Sequence, residues 1–192
     1  MIGNDVVDLG DPECRAEGRH PRFDGRVFDE AERALIETSG QPERIRWLLW
    51  AAKESAYKAA RKEDPRTVFT TSRFHAERHA DERLTVSLGD RRFLVDVGVG
   101  VEHLHAVARG AGDPPATTHG AVARLPEQAT GSEAVRQLAI ATLSRLLGIA
   151  PEELAIRREG RIPALWLRGR PSPVDLSLSH HGRFVAFACR FP

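Results

Sequence analysis

Residues 45–59 carry the strongest helical pattern in the chain. Six apolar residues recur there at intervals of three and four: Ile45, Leu48, Leu49, Ala52, Ala56 and Ala59. Such a stripe predicts a helix that packs against a core. The opposite face carries Trp50, Glu54 and Lys58 one turn apart, and we expect it to be covered as well, by protein or by a ligand. The alternative is an exposed Glu54–Lys58 pair, which contributes only roughly 0.2–0.5 kcal/mol.

The composition is that of a globular protein with little net charge. A chain of 192 residues is long enough for one domain or for two small packed halves. The formal net charge of +1 disfavours general binding to nucleic acid or to a membrane surface. Cys14 and Cys189 form no metal or redox motif, which is typical of reduced cytosolic thiols. Without an apolar run of membrane-spanning length or a signal peptide, the sequence predicts a cytoplasmic protein.

The first half of the chain shows strand and helix signals in a definite order. The predicted elements are a strand at 2–9, a loop at 10–25, helices at 28–37 and 42–62, and strands at 73–77, 84–88 and 92–101, the last continuing to 109. Residues 110–118 are rich in glycine, proline and threonine, which predicts a linker.

The second half repeats this order. A helix is predicted at 132–147, with Ser132 as its N-cap and Gly148 as its C-terminal stop. The predicted strands lie at 154–158, 164–167, 174–178 and 184–191.

The two halves resemble each other in sequence. Residues 95–100 align with 174–179, and residues 105–108 align with 185–188. The match predicts a duplicated α+β unit, although strand segments also resemble each other by chance. We therefore expect an α+β pseudo-dimer with a first half at 1–109, a linker at 110–118 and a second half at 119–192.

Carboxylates near the start of the chain suit a divalent cation. Asp5 and Asp8 lie three residues apart on a predicted strand, so they face opposite sides and only one can share a site with Glu54. Asp5 with Glu54 would suit Mg²⁺, a hard cation held by one or two carboxylates. The alternative is that Asp5 is a cap or turn residue.

Two segments of the second half are suited to bind anions. Arg161, between a glycine and a proline, could grip a phosphate, or it could be an ordinary turn cation. Ser179 and His180 follow an apolar strand, where they could contact an anion or form a capped turn. A hydrolase pair is disfavoured because sequence neighbours seldom form a nucleophile–base pair and no nucleophile elbow is present.

Four segments together resemble the signature motifs of the 4′-phosphopantetheinyl transferase superfamily. They are GNDVVDL at 3–9, WAAKESAYKA at 50–59, GRIP at 160–163 and DLSLSHHG at 175–182. The segment HPRFDGRVFDEAE at 20–32 also resembles the family's sequence between the first two motifs. The resemblance implies the transferase fold, a pseudo-dimer with its active site in the cleft between the halves.

The resemblance also implies an activity and roles for particular residues. The activity is transfer of the phosphopantetheine arm of coenzyme A to a serine of an acyl or peptidyl carrier protein, with release of adenosine 3′,5′-bisphosphate. Asp5 and Glu54 match the Mg²⁺ ligands, a role in which oxygen donors also suit Mn²⁺. Glu54 and Lys58 match the catalytic residues, because Glu54 can help to deprotonate the carrier serine and Lys58 lies near the diphosphate. The implied coenzyme A contacts are Lys53, Lys58, Arg161, Ser179, His180 and, by approximate position, Arg136.

The chain departs from the family's patterns in three ways. The motif order follows the short trimeric holo-acyl-carrier-protein synthases, although the length matches the pseudo-dimeric class, so the halves look exchanged relative to that class. Asp8 stands three residues after Asp5, which leaves its role as a ligand open. Arg161 replaces the usual lysine and is followed by an extra Ile162.

Both halves lie in one chain, so we expect a functional monomer. Its expected partners are coenzyme A and a carrier protein, with no nucleic acid or membrane. Two alternatives stay open: a non-catalytic protein of the same fold that binds coenzyme A or a carrier, and a Mg²⁺-dependent phosphohydrolase that uses the same carboxylates. No motif indicates which carrier, of fatty-acid, polyketide or non-ribosomal peptide synthesis, is modified.

Overall fold

The computed structural model describes residues 1–79, 82–114 and 116–192. The fold is α+β, as predicted, with two five-stranded antiparallel sheets. One sheet is formed by the first half of the chain and the other by the second half. Among these residues, no helix is long and apolar enough to cross a lipid bilayer.

Within the described residues, the first half forms five strands and three α-helices. The strands are β1 (Ile2–Asp8), β2 (His75–Arg78), β3 (Arg83–Leu88), β4 (Arg91–Val99) and β5 (His103–Gly110), and the helices are α1 (Phe23–Val27), α2 (Glu30–Thr38) and α3 (Pro42–Glu63). The sheet order is β1-β5-β4-β3-β2. Helix α3 packs on β1, β4 and β5, and all six residues of the predicted apolar stripe are buried.

The second half has one α-helix and five strands in the part of the chain that the structure describes. They are β6 (Thr118–Arg124), α4 (Gly131–Leu147), β7 (Leu154–Glu159), β8 (Ile162–Leu167), β9 (Arg170–His181) and β10 (Phe184–Arg190). The sheet order is β6-β10-β9-β8-β7. Helix α4 packs on β9 and β10.

The two halves share one topology. In each, an edge strand is followed by a long helix and then by four strands, the last of which pairs with the edge strand. The segments aligned in sequence lie on β4 and β9 and on β5 and β10. The prediction of two similar α+β halves is therefore confirmed. The precise boundaries stay a prediction, and Pro115 of the predicted linker lies outside the described residues.

The structure divides the predicted run at 92–109 into β4 and β5. The chain reverses after Val99, where the Gly100 nitrogen donates a hydrogen bond of 2.9 Å to the His103 carbonyl. Val101, at the tip of the turn, is 99% exposed. Valine favours strands as strongly as its neighbours do, so the sequence pattern does not indicate this turn.

The sequence does not predict β6, which begins in the last residue of the predicted linker. This strand is rich in small residues, and it forms because it pairs with β10 along its whole length. The prediction of a loop at 10–25 is wrong at its end, where α1 begins at Phe23. Both elements depend on tertiary contacts more than on local propensity.

The ends of α4 are set by a capping box and a left-handed glycine. Thr130, and not the predicted Ser132, is the N-cap: its side chain accepts from the Glu133 nitrogen while Glu133 reaches back to the Thr130 nitrogen. Gly148 ends the helix at φ 64°, as predicted. The sequence prediction missed the glutamate at the third helical position.

The two halves meet along β1, which packs against both β9 and β10. Val6 of β1 forms a small apolar cluster with Phe184 and Ala186 of β10. The strand that carries Asp5 is therefore enclosed by α3 from its own half and by the sheet of the other half.

Candidate active site

Strand β1 lies directly on the backbone of α3 at Gly3. A Cβ atom at this position would lie 2.6 Å from the Ala59 nitrogen and 3.1 Å from the Cβ of Lys58, which leaves no room for a side chain. Glycine permits this close approach, and Asp5, two residues along the same face of β1, is thereby carried to the polar face of α3. The spacing of glycine and aspartate in the first motif thus has a packing reason.

Asp5, Glu54 and Lys58 meet between β1 and α3. Asp5 is buried, with 5% of its surface exposed, and its Oδ1 accepts a hydrogen bond of 2.7 Å from Lys58 Nζ. Lys58 Nζ also lies 3.6 Å from Glu54 Oε2, one turn earlier on α3. The structure thus brings together the two carboxylates expected to bind a metal, with an ammonium group that contacts both.

The electrostatics of this group favour a proton acceptor and a cation. Burial and, next in size, the negative charge of Asp5 raise the pKa of Glu54 to about 7, although Lys58 acts in the opposite direction. Burial opposes the charge on Lys58, but Asp5 and Glu54 raise the pKa of this ammonium above its usual value. A carboxyl that titrates near neutral pH is suited to proton transfer. Two converging carboxylates also form an oxygen donor set that fits Mg²⁺ or Mn²⁺, whose charge would offset their repulsion.

Strand β9 brings Ser179 into the same group. Ser179 Oγ donates a hydrogen bond of 2.9 Å to Asp5 Oδ1 and accepts one of 3.1 Å from the Val6 nitrogen. Lys58 Nζ lies 3.4 Å from this hydroxyl. Ser179 is only 5% exposed, so its hydroxyl is enclosed by groups of the protein.

A cavity of about 470 Å³ opens beside the two carboxylates. Asp5 and Glu54 line it on one side, and aromatic rings form an apolar wall: Phe23 packs against Trp47 and Trp50 at centroid distances of 5.5 and 5.6 Å. Polar groups also line the cavity: Glu13, Arg19, His20, His180 and His181. Such a cavity can accept a ligand that is partly apolar and partly charged.

A second, smaller cavity of about 220 Å³ is lined by Lys58, Arg61 and Arg161. Lys58 therefore connects the two cavities, because it also contacts the carboxylates of the first. Convergent guanidinium and ammonium groups are suited to bind phosphate. Arg61 was not predicted, although its position three residues after Lys58 on α3 indicates the same helix face.

The structure places two of the expected coenzyme A contacts in different cavities. His180 lines the first cavity and Arg161 lines the second. The imidazole of His180 lies over Gly131 at the start of α4, where a Cβ atom would be 2.7 Å from its Cγ. A single ligand that contacts both residues must therefore reach into both cavities.

Three expected ligand contacts line neither cavity: Ser179, described above, Lys53 and Arg136. The expectation for Lys53 is corrected: its side chain is 1% exposed, and its Nζ donates to Glu32 at 2.6 Å and to the Val27 carbonyl at 2.7 Å. The residue after it, Glu54, points elsewhere because successive helical residues are rotated by roughly 100°. Arg136 donates to the carbonyl and the hydroxyl of Ser132 on its own helix, at 2.7 and 2.6 Å.

Asp8 is engaged away from Glu54. Its carboxylate accepts hydrogen bonds from Arg183 Nη2 at 2.6 Å and from the Gly10 nitrogen at 2.9 Å. Burial opposes the charge, but the Arg183 guanidinium holds the pKa of Asp8 well below its usual range. Asp5 and Asp8 thus have different partners, as expected from their spacing on a strand.

A further polar group lies near the first cavity. Ligand atoms of Asp11, Glu13 and His181 lie within 4.8 Å of one another. Asp11 Oδ1 already accepts from the Glu13 nitrogen at 2.9 Å, and His181 Nδ1 accepts from the Asp8 nitrogen at 3.0 Å. Asp11 thus caps the short 3-10 turn at Pro12–Cys14, and His181 is bound to β1.

Comparison with known proteins adds one finding. A family model described as ACPS, 4′-phosphopantetheinyl transferase superfamily, matches residues 1–118, more than half of the chain. The matched region contains Asp5, Glu54 and Lys58 but ends before Arg161 and Ser179. No curated protein matches the chain significantly.

Proposed function

We propose that this chain, which belongs to the 4′-phosphopantetheinyl transferase superfamily, transfers the 4′-phosphopantetheine group of coenzyme A to a serine of an acyl or peptidyl carrier protein. Adenosine 3′,5′-bisphosphate is the second product. The observation that carries the proposal is the meeting of Asp5, Glu54 and Lys58 between an aromatic cavity and a basic one.

The residues divide the chemistry between them. The hydroxyl oxygen of the carrier serine forms a bond to the phosphorus that bears pantetheine, and the bond from that phosphorus to the bridging oxygen breaks. The proton of the serine passes to the carboxylate of Glu54, directly or through a water molecule. Asp5 and Glu54 would hold Mg²⁺ or Mn²⁺, which when bound supplies charge neutralisation at the diphosphate.

Basic side chains that line the two cavities hold the nucleotide end of the substrate. Lys58 faces the diphosphate, because it contacts both carboxylates and lines the basic cavity. Arg161 and Arg61 bind phosphate groups in that cavity. His180 contributes from the first cavity. Positioning and charge neutralisation of this kind account for most catalysis of phosphoryl transfer.

Both halves contribute residues to the site from one chain, so a monomer is the functional unit. The protein acts in the cytoplasm on coenzyme A and a carrier protein. A panel of apo carriers from fatty-acid, polyketide and non-ribosomal peptide synthesis identifies the preferred class.

Mass spectrometry of an apo carrier incubated with coenzyme A and Mg²⁺ tests the proposal. A carrier that gains the mass of phosphopantetheine supports it. Binding of coenzyme A without modification of any carrier in the panel supports the non-catalytic alternative. Release of pantetheine phosphate in the absence of a carrier supports the hydrolase.

Two variants test the assigned roles. Glu54→Gln should lower the rate of transfer by at least ~100-fold, since general base catalysis typically contributes that much, while coenzyme A still binds. Arg161→Ala should raise the KM for coenzyme A by ~10-fold with a smaller effect on kcat, as expected for loss of a charged hydrogen bond. Arg158→Ala, which removes an exposed arginine of β7, is the matched control. Near-normal turnover in Glu54→Gln would refute the assignment.

A further inference from the structure

The free edge of β1 is satisfied by side chains instead of by a neighbouring strand. β1 pairs with β5 on one side only. On the other side, the backbone nitrogens of four alternate residues donate to side chains of β9: Ile2 to Asp175 Oδ2 at 2.6 Å, Asn4 to Ser177 Oγ at 2.9 Å, Val6 to Ser179 Oγ at 3.1 Å and Asp8 to His181 Nδ1 at 3.0 Å. Alternate residues of a strand share one face, so a single face of β9 replaces a missing strand.

Ser179 differs from Ser177, two residues earlier on β9, in its contact with a carboxylate. Ser177 instead lines the basic cavity. Both hydroxyls accept from a backbone nitrogen of β1, and both serines are almost fully buried. The hydroxyl of Ser179 also donates a hydrogen bond of 2.9 Å to the carboxylate of Asp5, at Oδ1. A hydroxyl has a single hydrogen, so the acceptance from Val6 and the donation to Asp5 together fix the orientation of this group.

The hydrogen bond from Ser179 is made to one oxygen of the Asp5 carboxylate. Lys58 Nζ and Ser179 Oγ both donate to the same oxygen, Oδ1. The two donors come from opposite halves of the chain, α3 and β9. The orientation of the carboxylate therefore depends on how the second half docks on β1.

We propose that Ser179 is a positioning residue that orients the Asp5 carboxylate for a divalent cation. This role replaces the direct phosphate contact implied by the resemblance, because the hydroxyl is buried and committed to β1 and Asp5. The inference rests on the proposed function for the presence of the cation. Hydrogen bonds to metal-ligating groups typically affect metal affinity by ~10–100-fold.

Comparison of Ser179→Ala with Ser177→Ala tests the inference. Each variant leaves one buried backbone nitrogen of β1 without its acceptor, so both should lose similar stability in denaturant titrations. Ser179→Ala should in addition weaken Mn²⁺ binding by ~10–100-fold, whereas Ser177→Ala should stay within about twofold. Mn²⁺ binding is followed by quenching of tryptophan fluorescence in the presence of coenzyme A, since Trp50 lines the same cavity as the carboxylates.

Two further measurements separate positioning from phosphate binding. In the transfer assay, Ser179→Ala should require more Mg²⁺ for half-maximal rate, and excess Mg²⁺ should restore most of the rate. Ser179→Thr keeps the hydroxyl and should recover Mn²⁺ affinity. If Ser179→Ala does not fold, Ser179→Cys keeps the size with a weaker donor and should show an intermediate loss of Mn²⁺ affinity.

Three results would overturn the inference. The first is equal Mn²⁺ affinity in the Ser177 and Ser179 variants, and the second is a higher KM for coenzyme A in Ser179→Ala with unchanged Mn²⁺ affinity. The third is a wild-type protein that binds no Mn²⁺. A wild type that binds Mn²⁺ in a Ser179-dependent way but modifies no carrier would instead contradict the proposed function and leave this inference standing.

Discussion

Replacement of Glu54 by glutamine should make the metal-free protein more stable at alkaline pH. The unfolded chain has a glutamate with the ordinary pKa of 4.5, whereas burial and the charge of Asp5 raise the pKa in the folded protein to about 7. The folded state therefore binds this proton more tightly than the unfolded state. Its stability falls as pH rises from about 4.5 to about 7, and the unfavourable contribution is fully present above that range.

The size of the effect follows from the two pKa values. A change from 4.5 to about 7 corresponds to ~3 kcal/mol between the protonation states. This figure is an upper limit, because the side chain is 26% exposed and water screens part of the interaction. Relative to wild type, Glu54→Gln should thus gain up to ~3 kcal/mol in unfolding free energy between pH 4.5 and pH 8.

Urea titrations at pH 4.5, 6 and 8, followed by tryptophan fluorescence, measure this difference. Other titrating groups are common to both proteins, so their effects cancel in the comparison. Mg²⁺ at pH 8 should stabilise the wild type more than Glu54→Gln, because a bound cation offsets the repulsion between the carboxylates. A variant that is destabilised equally at every pH would refute the claim that Glu54 is buried beside a like charge.

Two other substitutions test the packing around the site. Gly3→Ala should lower the unfolding free energy by ~2 kcal/mol or more and abolish transfer, since the added carbon would lie 2.6 Å from the Ala59 nitrogen; Gly25→Ala, where nothing lies within 4 Å, is the control, and equal effects would contradict the close approach of β1. Lys53→Met should cost ~3–5 kcal/mol because the buried Glu32 loses the only cation paired with it among the described residues; a stable Lys53→Met protein with a raised KM for coenzyme A would instead restore Lys53 as a ligand contact.

Most of the architecture follows from local patterns in the sequence. The stripe at 45–59 predicted α3 and its buried face, and the similarity of 95–100 to 174–179 predicted two alike halves. The turn at Val101 and strand β6 were missed. In the first case, the strand-forming Val101 lies in a turn, so the sequence pattern continued through it. In the second, pairing with β10 stabilises a strand whose own residues have little strand propensity.

The candidate site was predictable only in part, for a related reason. The motifs identified Asp5, Glu54 and Lys58, which the structure brings together. They did not distinguish Lys53, which faces α2, from Lys58, which faces β1, although both lie on the same helix. They also did not indicate that Ser179 contacts Asp5 or that His180 and Arg161 line separate cavities.

The sequence by itself determined the elements that depend on periodicity: the helix with two contrasting faces and the alternating strands. These follow from near-neighbour geometry, in which side chains repeat every 3.6 residues in a helix and every two in a strand. Only the tertiary structure decided which polar groups become partners. Asp5 and Ser179 are 174 residues apart in the chain, and their contact exists because the edge of one sheet docks on the face of the other.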